Sequence, residues 1–259
     1  MDMKIDKVQK MPSGKYKIVL DSGDKITTYD DVILEKGLLY HKDISFEDLK
    51  ELNQKTEYYD IYYKAVKMIS VKYRSEKEIR EFLKEKELSK EKKEQIVKRL
   101  KDTGLINDER YMHSYINDRM HLSSDGPYAI GKYLTSHGID ENKVTKALQE
   151  IRTEEIENKI KDLLSKKIKT NHKDSPYVLK QKLVQTLGNK GFDKTMVASI
   201  FDTLEVKEEG LLMKEYEKQY KRLSKKYSGR DLLFQIRQKL YSKGFHADEI
   251  DAVLTDIFE

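Results

Sequence analysis

The residues of this chain that could carry out catalytic or metal chemistry are few and fall into no catalytic pattern. The chain contains six histidines and no cysteine, which excludes disulfides, thiolate zinc sites and thiol nucleophiles. The histidines form no HExxH pair, and the sequence has no Gly-rich phosphate loop, GxGxxG fingerprint or GxSxG nucleophile elbow. We therefore predict that the chain is not an enzyme, has no catalytic residues, and binds neither a metal nor a cofactor.

The chemistry that the sequence does offer is the binding of negative charge. Lys and Arg number 51 against 46 Asp and Glu, and charged residues make up 37% of the chain, against about 25% in an ordinary soluble domain. The excess is concentrated in three segments: 14 against 7 in residues 64–101, 10 against 3 in 159–194, and 9 against 1 in 218–243. A single Lys-rich run is most often the solvated face of an amphipathic helix. Three separate runs favour a polyanionic or acidic polymeric partner.

An internal repeat positions these basic segments. Four leucines lie 51, 53 and 53 residues apart, and each is flanked by apolar residues four before it, five after it, and at offsets 13, 14 and 17. These spacings put apolar side chains on one face of two successive helices. A preceding amphipathic helix completes each unit, so the sequence predicts four tandem three-helix repeats. The four anchor leucines are Leu83, Leu134, Leu187 and Leu240.

The links between the second and third helix of each repeat can also be predicted. Three anchors are followed four residues later by a glycine, which ends a helix in the left-handed conformation without a Cβ clash. Three are followed at offset 6 by Ser or Asp, which can cap the next helix. The glycines are Gly138, Gly191 and Gly244, and the capping residues are Ser89, Asp140 and Asp193. In the first repeat, Glu87 replaces the glycine.

The first forty-five residues have a different composition. Residues 15–20 and 25–29 are β-branched and aromatic around an Asp-Ser-Gly-Asp turn, which predicts a hairpin joined by residues 4–10. Residues 30–36 predict a short helix ended by Gly37, and Ser45 with Asp48 resembles a capping box. We predict a mainly α fold: four helix-turn-helix-like three-helix repeats in an elongated array, with a small N-terminal β-hairpin region. The predicted domain boundaries are 1–45, 46–102, 103–152, 153–206 and 207–259.

Nine basic residues on the anchor helices are the candidate contacts with a polymeric partner. They belong to repeats 1, 3 and 4, which carry the excess positive charge, whereas repeat 2 is nearly neutral. The candidates are Arg74, Lys77, Arg80 and Lys84 in repeat 1, Lys180 and Lys182 in repeat 3, and Arg230, Arg237 and Lys239 in repeat 4.

A cluster of tyrosines in the first helix of repeat 1 allows two interpretations. Tyr58, Tyr59, Tyr62 and Tyr63 could stack on nucleic-acid bases. Their i, i+4 spacing is more typical of packing between helices.

Several short motifs recur along the chain in a defined order and spacing. They are Arg74–Leu83, Gly104–Tyr111, Gly126–Ile130 leading to Leu134, His137–Ile139, Lys190–Phe192 and Lys243–Phe245. Together they resemble the RecX family of RecA regulators. The resemblance implies tandem three-helix repeats that lie along the groove of the RecA filament on DNA. It also implies inhibition of ATP hydrolysis, strand exchange and stimulated repressor cleavage. The N-terminal hairpin and the fourth repeat resemble the longer members of the family from Gram-positive bacteria.

The predicted partner is thus the RecA filament, with single- and double-stranded DNA as further candidates, in DNA recombination, DNA repair and the SOS response. Met1 is followed by acidic residues, and no window approaches about 18 apolar residues. We expect a cytoplasmic monomer with no membrane segment. Two other functions stay open: a stand-alone DNA-binding protein with tandem helix-turn-helix-like units, and a non-catalytic helical scaffold.

Overall fold

The computed structural model describes residues 3–40, 42–171, 174–206 and 210–258. The chain divides into two compact units, Met1–Tyr111 and Met112–Glu259. No helix in the described ranges is long and apolar enough to cross a membrane.

The first unit begins with an antiparallel sheet of four strands in the order β3-β2-β1-β4. The predicted hairpin is confirmed, and so is its pairing with the segment at residues 4–10, since Val8 lies opposite Ile18 and Ile18 lies opposite Ile26. A short fourth strand at the other edge pairs Met3 with Ile44. The strands are β1 Met3–Lys10, β2 Tyr16–Leu20, β3 Lys25–Thr28 and β4 Asp43–Ile44.

Four helices complete the first unit, and their starts follow the predicted caps. Ser45 and Ser75 each form a capping box with the acidic residue three positions later, and Ser89 accepts a hydrogen bond from the Lys92 amide. These contacts satisfy amide groups that the first turn of a helix leaves unpaired. The helices are α1 Asp30–Glu35, α2 Phe46–Val71, α3 Glu76–Lys84 and α4 Lys90–Asp102.

One continuous apolar core serves both the strands and the helices of the first unit. Ile18 of β2 and Val32 of α1 pack in the same cluster as Leu52, Ile79 and Leu100 of α2, α3 and α4, and all five are buried. The sheet is therefore built onto the first three-helix repeat as one packed body, and the predicted boundary near residue 45 runs through a shared core.

The helices that follow α4 form three further triplets, as the repeat predicts. We call α2–α4, α5–α7, α8–α10 and α11–α13 repeats 1 to 4. Repeat 3 has its own core around Ile160, Leu183 and Val197, and repeat 4 has one around Ile236 and Ile250. The later helices are α5 Asp108–Leu122, α6 Pro127–Ser136, α7 Glu141–Gln149, α8 Thr153–Lys169, α9 Pro176–Asn189, α10 Lys194–Asp202, α11 Leu211–Leu223, α12 Gly229–Ser242 and α13 Ala247–Phe258.

The predicted glycine turns are confirmed. Gly138, Gly191 and Gly244 have φ values of 87°, 89° and 80°, and such angles favour a residue without a Cβ. In repeat 1, where Glu87 replaces glycine, the link is formed differently. There the Leu88 amide donates to the Lys86 carbonyl at 2.9 Å, and no described residue other than glycine has a positive φ.

Two of these glycines also join consecutive repeats, a role that the sequence pattern does not predict. The Gly126 amide at the start of α6 donates to the Lys190 carbonyl at 2.7 Å, and the Tyr128 amide donates to the Gly191 carbonyl at 3.1 Å. A Cβ on Gly191 would lie 2.3 Å from the Ala129 nitrogen. The N-terminus of the middle helix of repeat 2 therefore rests directly on the glycine turn of repeat 3.

The same arrangement recurs between repeats 3 and 4. Ser175, which caps α9, donates its hydroxyl hydrogen to the Lys243 carbonyl at 2.8 Å. A Cβ on Gly244 would lie 2.8 Å from the Ser175 hydroxyl oxygen. Both junctions thus depend on close approach to a glycine, by the backbone of Ala129 at Gly191 and by the side chain of Ser175 at Gly244.

Candidate nucleic-acid interface

The middle helices α3, α9 and α12 carry eight of the nine predicted contact residues. The prediction that all nine stand on these helices is wrong for Arg74, because the capping box of Ser75 begins α3 only at Glu76. The Arg74 guanidinium instead pairs with Glu78 at 3.0 Å.

In repeat 1, the helical spacing places Lys77, Arg80 and Lys84 on one face of α3. Arg80 is held between two carboxylates, with a bidentate contact to Glu94 at 2.5 and 3.0 Å and a bond from Nε to Glu76 at 2.8 Å. The hydrogen bond to Glu94 and then the one to Glu76 raise the pKa of Arg80. Lys84 is exposed and has no ion-pair partner in the described part of the chain.

In repeat 3, both predicted cations are paired within the repeat. Lys180 contacts Asp202 at 2.6 Å, and Lys182 contacts Asp174 at 2.7 Å. Their separation of two residues puts them about 200° apart around α9, so they do not form one surface. Exposed pairs of this kind are worth about 0–1 kcal/mol, and a phosphate can therefore compete for either lysine.

In repeat 4, Arg230, Arg237 and Lys239 are exposed on α12. Arg237 pairs with Asp251 of α13 at 2.5 Å. No ion pair of Arg230 or Lys239 occurs among the residues that the structure describes. Residues 218–243 of repeat 4 therefore combine the largest local excess of basic residues, 9 against 1, with cations that face solvent.

Two large aromatic side chains on the same helix lie outside the set of residues predicted from the sequence. Phe234 and Tyr241 of α12 are 58% and 67% exposed. Their separation of seven residues, with an arginine four positions before each, places ring and guanidinium groups on one face. Two aromatic residues seven positions apart, each with an arginine four positions before it, are the sequence signal that predicts this face.

The tyrosine cluster of α2 packs inside the first unit, as its spacing favours. Tyr59 and Tyr62 are buried, and Arg99 of α4 donates to the Tyr59 hydroxyl at 3.0 Å and to Asp31 at 2.7 Å. Burial, together with a hydrogen bond to Glu35, raises the pKa of Tyr59 to about 12. These groups fix α1 against α2 and α4, so the buried rings have no open face for a base.

In repeat 2, aromatic rings on the first and middle helices stack on one another, whereas the predicted basic contact residues all belong to the other three repeats. Tyr115 and Tyr133 stack with ring centroids 4.3 Å apart, and His137 stacks on Tyr133 at 3.8 Å. Lys159 of α8 donates to the Arg119 carbonyl at 2.7 Å, and burial lowers its pKa. The basic character of Lys159 is thus used in packing repeat 3 against repeat 2.

The third helix of each repeat corresponds to the recognition helix of a helix-turn-helix. In repeat 1 this helix is rich in lysine, but α10 holds one lysine and one aspartate, and α13 holds four acidic residues and no basic one. Insertion of α13 into a groove of DNA would bring its carboxylates against phosphates. The positive charge of repeats 3 and 4 lies on their first and middle helices instead.

No group of three or more His, Asp or Glu side chains that could hold a metal ion occurs in the described ranges. The fold and its surfaces define a class of protein: a tandem three-helix repeat protein that carries cations on the middle helices of repeats 1, 3 and 4. Family models agree with this class, since the second three-helix domain of RecX matches residues 107–148 and the third matches residues 154–200.

Relatives extend the match over nearly the whole chain. The regulatory protein RecX of Streptococcus pneumoniae is 32% identical over 259 residues, covering 98% of this chain and 99% of that protein. The regulatory protein RecX of Oceanobacillus iheyensis is 30% identical over 253 residues, covering 94% and 93%. The chain belongs to the RecX family of regulatory proteins.

Solved structures support the same conclusion for the fold. A crystal structure of regulatory protein RecX superposes with a TM-score of 0.60 at 26% identity, covering 77% of this chain and 99% of that one. The crystal structure of RecX from Lactobacillus salivarius gives a TM-score of 0.52 at 28% identity, covering 57% and 96%. The resemblance to this family that the sequence motifs carry is confirmed.

Proposed function

We propose that this chain binds the RecA–DNA filament and inhibits the recombinase, ATPase and coprotease activities of RecA, without catalysing a reaction itself. In this role it acts as a cytoplasmic monomer in recombination, repair and the SOS response. Membership of the RecX family supports the choice of partner. The observation that carries the proposal is the set of exposed cations on middle helices, above all Arg230 and Lys239 in repeat 4 and Lys84 in repeat 1, for which the described residues offer no carboxylate.

The mechanism follows from the number of separate contact surfaces. Each exposed cation gains little on its own, since a single charge contact with a screened partner is weak. Several such surfaces on one chain bind a polymer with a high effective concentration after the first contact forms. Release of counterions from the polymer adds to the affinity of every contact. The chain can therefore occupy several sites on a filament that one repeat could not hold.

The charge of the third helices argues against the alternative of tandem helix-turn-helix docking on naked duplex DNA. An acidic α13 and a neutral α10 would leave only repeats 1 and 2 able to enter a groove. A helical scaffold for an unrelated protein is the remaining alternative, and it predicts no effect on RecA.

The test measures RecA ATPase activity on single-stranded DNA against added protein. One variant carries Lys84→Glu, Arg230→Glu and Lys239→Glu. The matched control carries Lys132→Glu, Lys143→Glu and Lys146→Glu in nearly neutral repeat 2, where these lysines are also exposed. The net charge changes by the same amount in both variants, so a difference between them reports position.

We expect the wild-type chain and the control to inhibit RecA, and the triple variant to need a concentration at least tenfold higher. If each reversed cation binds a phosphate, the dependence of log affinity on log salt should fall by about one unit per residue. Equal inhibition by both variants would contradict the assignment of these three cations as contact residues. No inhibition by the wild-type chain, with tight salt-dependent binding to naked duplex DNA, would favour the stand-alone DNA-binding protein instead.

A further inference from the structure

One face of α12 combines exposed rings with arginine. We define the α12 face as the five residues Arg230, Phe234, Arg237, Gln238 and Tyr241. Their spacings of four, three, one and three residues place them within about 100° of arc around the helix. All five are exposed, while the opposite side of α12 supplies the buried core of repeat 4.

The two rings border a shallow groove between α12 and α13. Phe234 and Tyr241 form its sides together with Arg237 and Gln238, and Ala247 and Ile250 of α13 complete the lining. The groove has a volume of about 280 Å³. A flat aromatic group can therefore lie against either ring with one face, while its edge stays in solvent.

The corresponding positions in the other repeats do not combine two rings. Phe234 and Tyr241 lie six residues before and one residue after the anchor leucine of repeat 4. At these two positions, repeat 1 has Lys77 and Lys84, and repeat 3 has Gln181 and Gly188. In repeat 3 the site is also covered, since a Cβ on Gly188 would lie 2.6 Å from Cε of Lys194. The aromatic pair is therefore a property of repeat 4 and not of the repeat pattern.

The charge around the α12 face favours a polyanionic occupant. Residues 218–243 contain nine basic residues and one acidic residue, and when the four acidic residues of α13 are included, residues 218–258 still carry a net charge of +4. Arg230 has no ion-pair partner among the described residues. Arg237 has one, Asp251, whose side chain is about half exposed (47%), so that a phosphate can replace it. A protein partner that offered only an apolar side chain would leave these cations unused, whereas a nucleic-acid strand offers both phosphates and aromatic faces.

We propose that the α12 face binds unpaired nucleotides of single-stranded DNA, with Phe234 and Tyr241 stacked on bases and Arg230 and Arg237 against flanking phosphates. The seven residues between the rings span about 10 Å of helix, so each ring takes a separate base. Stacking of this kind is open to every base and needs no sequence readout. The inference deepens the proposed function, because it assigns the DNA of the filament to a particular repeat.

The first experiment uses the absence of tryptophan from the chain. In Phe234→Trp, the new indole is the only tryptophan, and its fluorescence reports directly on stacking. We expect an oligo-dT strand to quench the emission, and an abasic strand of equal length and charge to quench it little. Equal quenching by both strands, or none by oligo-dT, would overturn the proposal.

The second experiment separates stacking from apolar contact and from charge. Phe234→Leu with Tyr241→Leu keeps apolar bulk but removes both ring faces, and Tyr40→Leu removes an 86% exposed ring of the first unit as a matched control. We expect the double variant to bind oligo-dT at least tenfold more weakly, with an unchanged salt dependence, because no charge is removed. The affinity for duplex DNA and the far-UV circular dichroism should not change.

Three outcomes would refute the assignment. Unchanged oligo-dT binding by the leucine variant would mean that the groove serves an apolar protein partner. An equal loss on duplex DNA would mean that the substitutions disturb the repeat, and a fall in the salt dependence would mean that charge contacts were lost. None of these depends on RecA, so failure of the α12 face is distinguishable from failure of the wild-type chain to inhibit RecA ATPase activity.

Discussion

Replacing Gly191 by alanine should open the junction between repeats 2 and 3. Two separate costs arise at this position. The backbone has a φ of 89°, which an L-residue rarely adopts, and the new Cβ would lie 2.3 Å from the Ala129 nitrogen. The close contact with Ala129 can be relieved only if α6 moves away, and this movement breaks the hydrogen bonds from the Gly126 and Tyr128 amides.

The magnitudes can be separated with two other glycines. Left-handed strain costs about 1–2 kcal/mol in a residue with a Cβ, and two backbone hydrogen bonds contribute about 0.5–1.5 kcal/mol each. Gly210→Ala has only the strain, because its φ is 80° and no described residue lies within 4 Å of the added Cβ. Gly126→Ala has only the close approach, since its φ is −93° and its Cβ would lie 2.5 Å from the Gly191 carbonyl. We expect losses of roughly 1–2 kcal/mol for Gly210→Ala, 1–3 for Gly126→Ala and 2–5 for Gly191→Ala.

Urea unfolding followed by far-UV circular dichroism gives the three stabilities, and hydrogen exchange at residues 126 and 128 reports the junction itself. Gly126→Ala and Gly191→Ala should both speed exchange at these amides, and Gly210→Ala should not. The double variant Gly126→Ala/Gly191→Ala should lose less free energy of unfolding than the sum of the two single losses. Once one substitution has opened the junction, the second adds no further steric clash there. A Gly191→Ala protein no less stable than Gly210→Ala would refute the reasoning.

Three further predictions concern charge. Asp251→Asn frees Arg237 from its 2.5 Å ion pair, so oligo-dT should bind a few-fold more tightly in a titration at low salt. Arg99→Ala leaves Asp31 without its charged partner, and the first unit should unfold at lower urea while repeats 3 and 4 keep their midpoint. A hydrogen bond from Lys55, and then one from Tyr59, lowers the pKa of Glu35. That stabilisation is present above the unfolded pKa of about 4.3 and is lost as the pH falls through the folded value, so acid titration should destabilise the first unit below about pH 4.

The sequence predicts the local structure well because local structure depends on near neighbours. The caps at Ser75 and Asp140, and the left-handed glycines at Gly191 and Gly244, are decided within four residues of chain. Apolar periodicity likewise indicates which helix faces are buried. The order of the helices and their grouping in threes follow from these signals alone.

What the sequence does not predict depends on residues far apart in the chain. The bonds from Gly126 to Lys190 and from Arg99 to Asp31 join positions 64 and 68 residues apart, and no periodicity encodes such partners. The state of the predicted cations has the same origin. Lys180 and Arg230 look equivalent in the sequence, yet the fold gives a carboxylate to Lys180 and, in the described residues, none to Arg230.

The repeat junctions explain why repeat 4 offers the most accessible middle helix. The N-termini of α6 and α9 are occupied, since each lies against the glycine turn of the following repeat. At the start of α12, nothing in the described structure lies within 4 Å of a Cβ built on Gly229, and Ser228 makes no side-chain cap hydrogen bond. The first turn of α12 therefore keeps its amide groups and Arg230 available. Because a helix N-terminus attracts anions through its unpaired amides and its dipole, these groups add to Arg230 in favouring a phosphate beside a base that stacks on Phe234. Tyr241 lies in the last turn of α12, so a strand that contacts both rings extends along the helix from this anion-binding end.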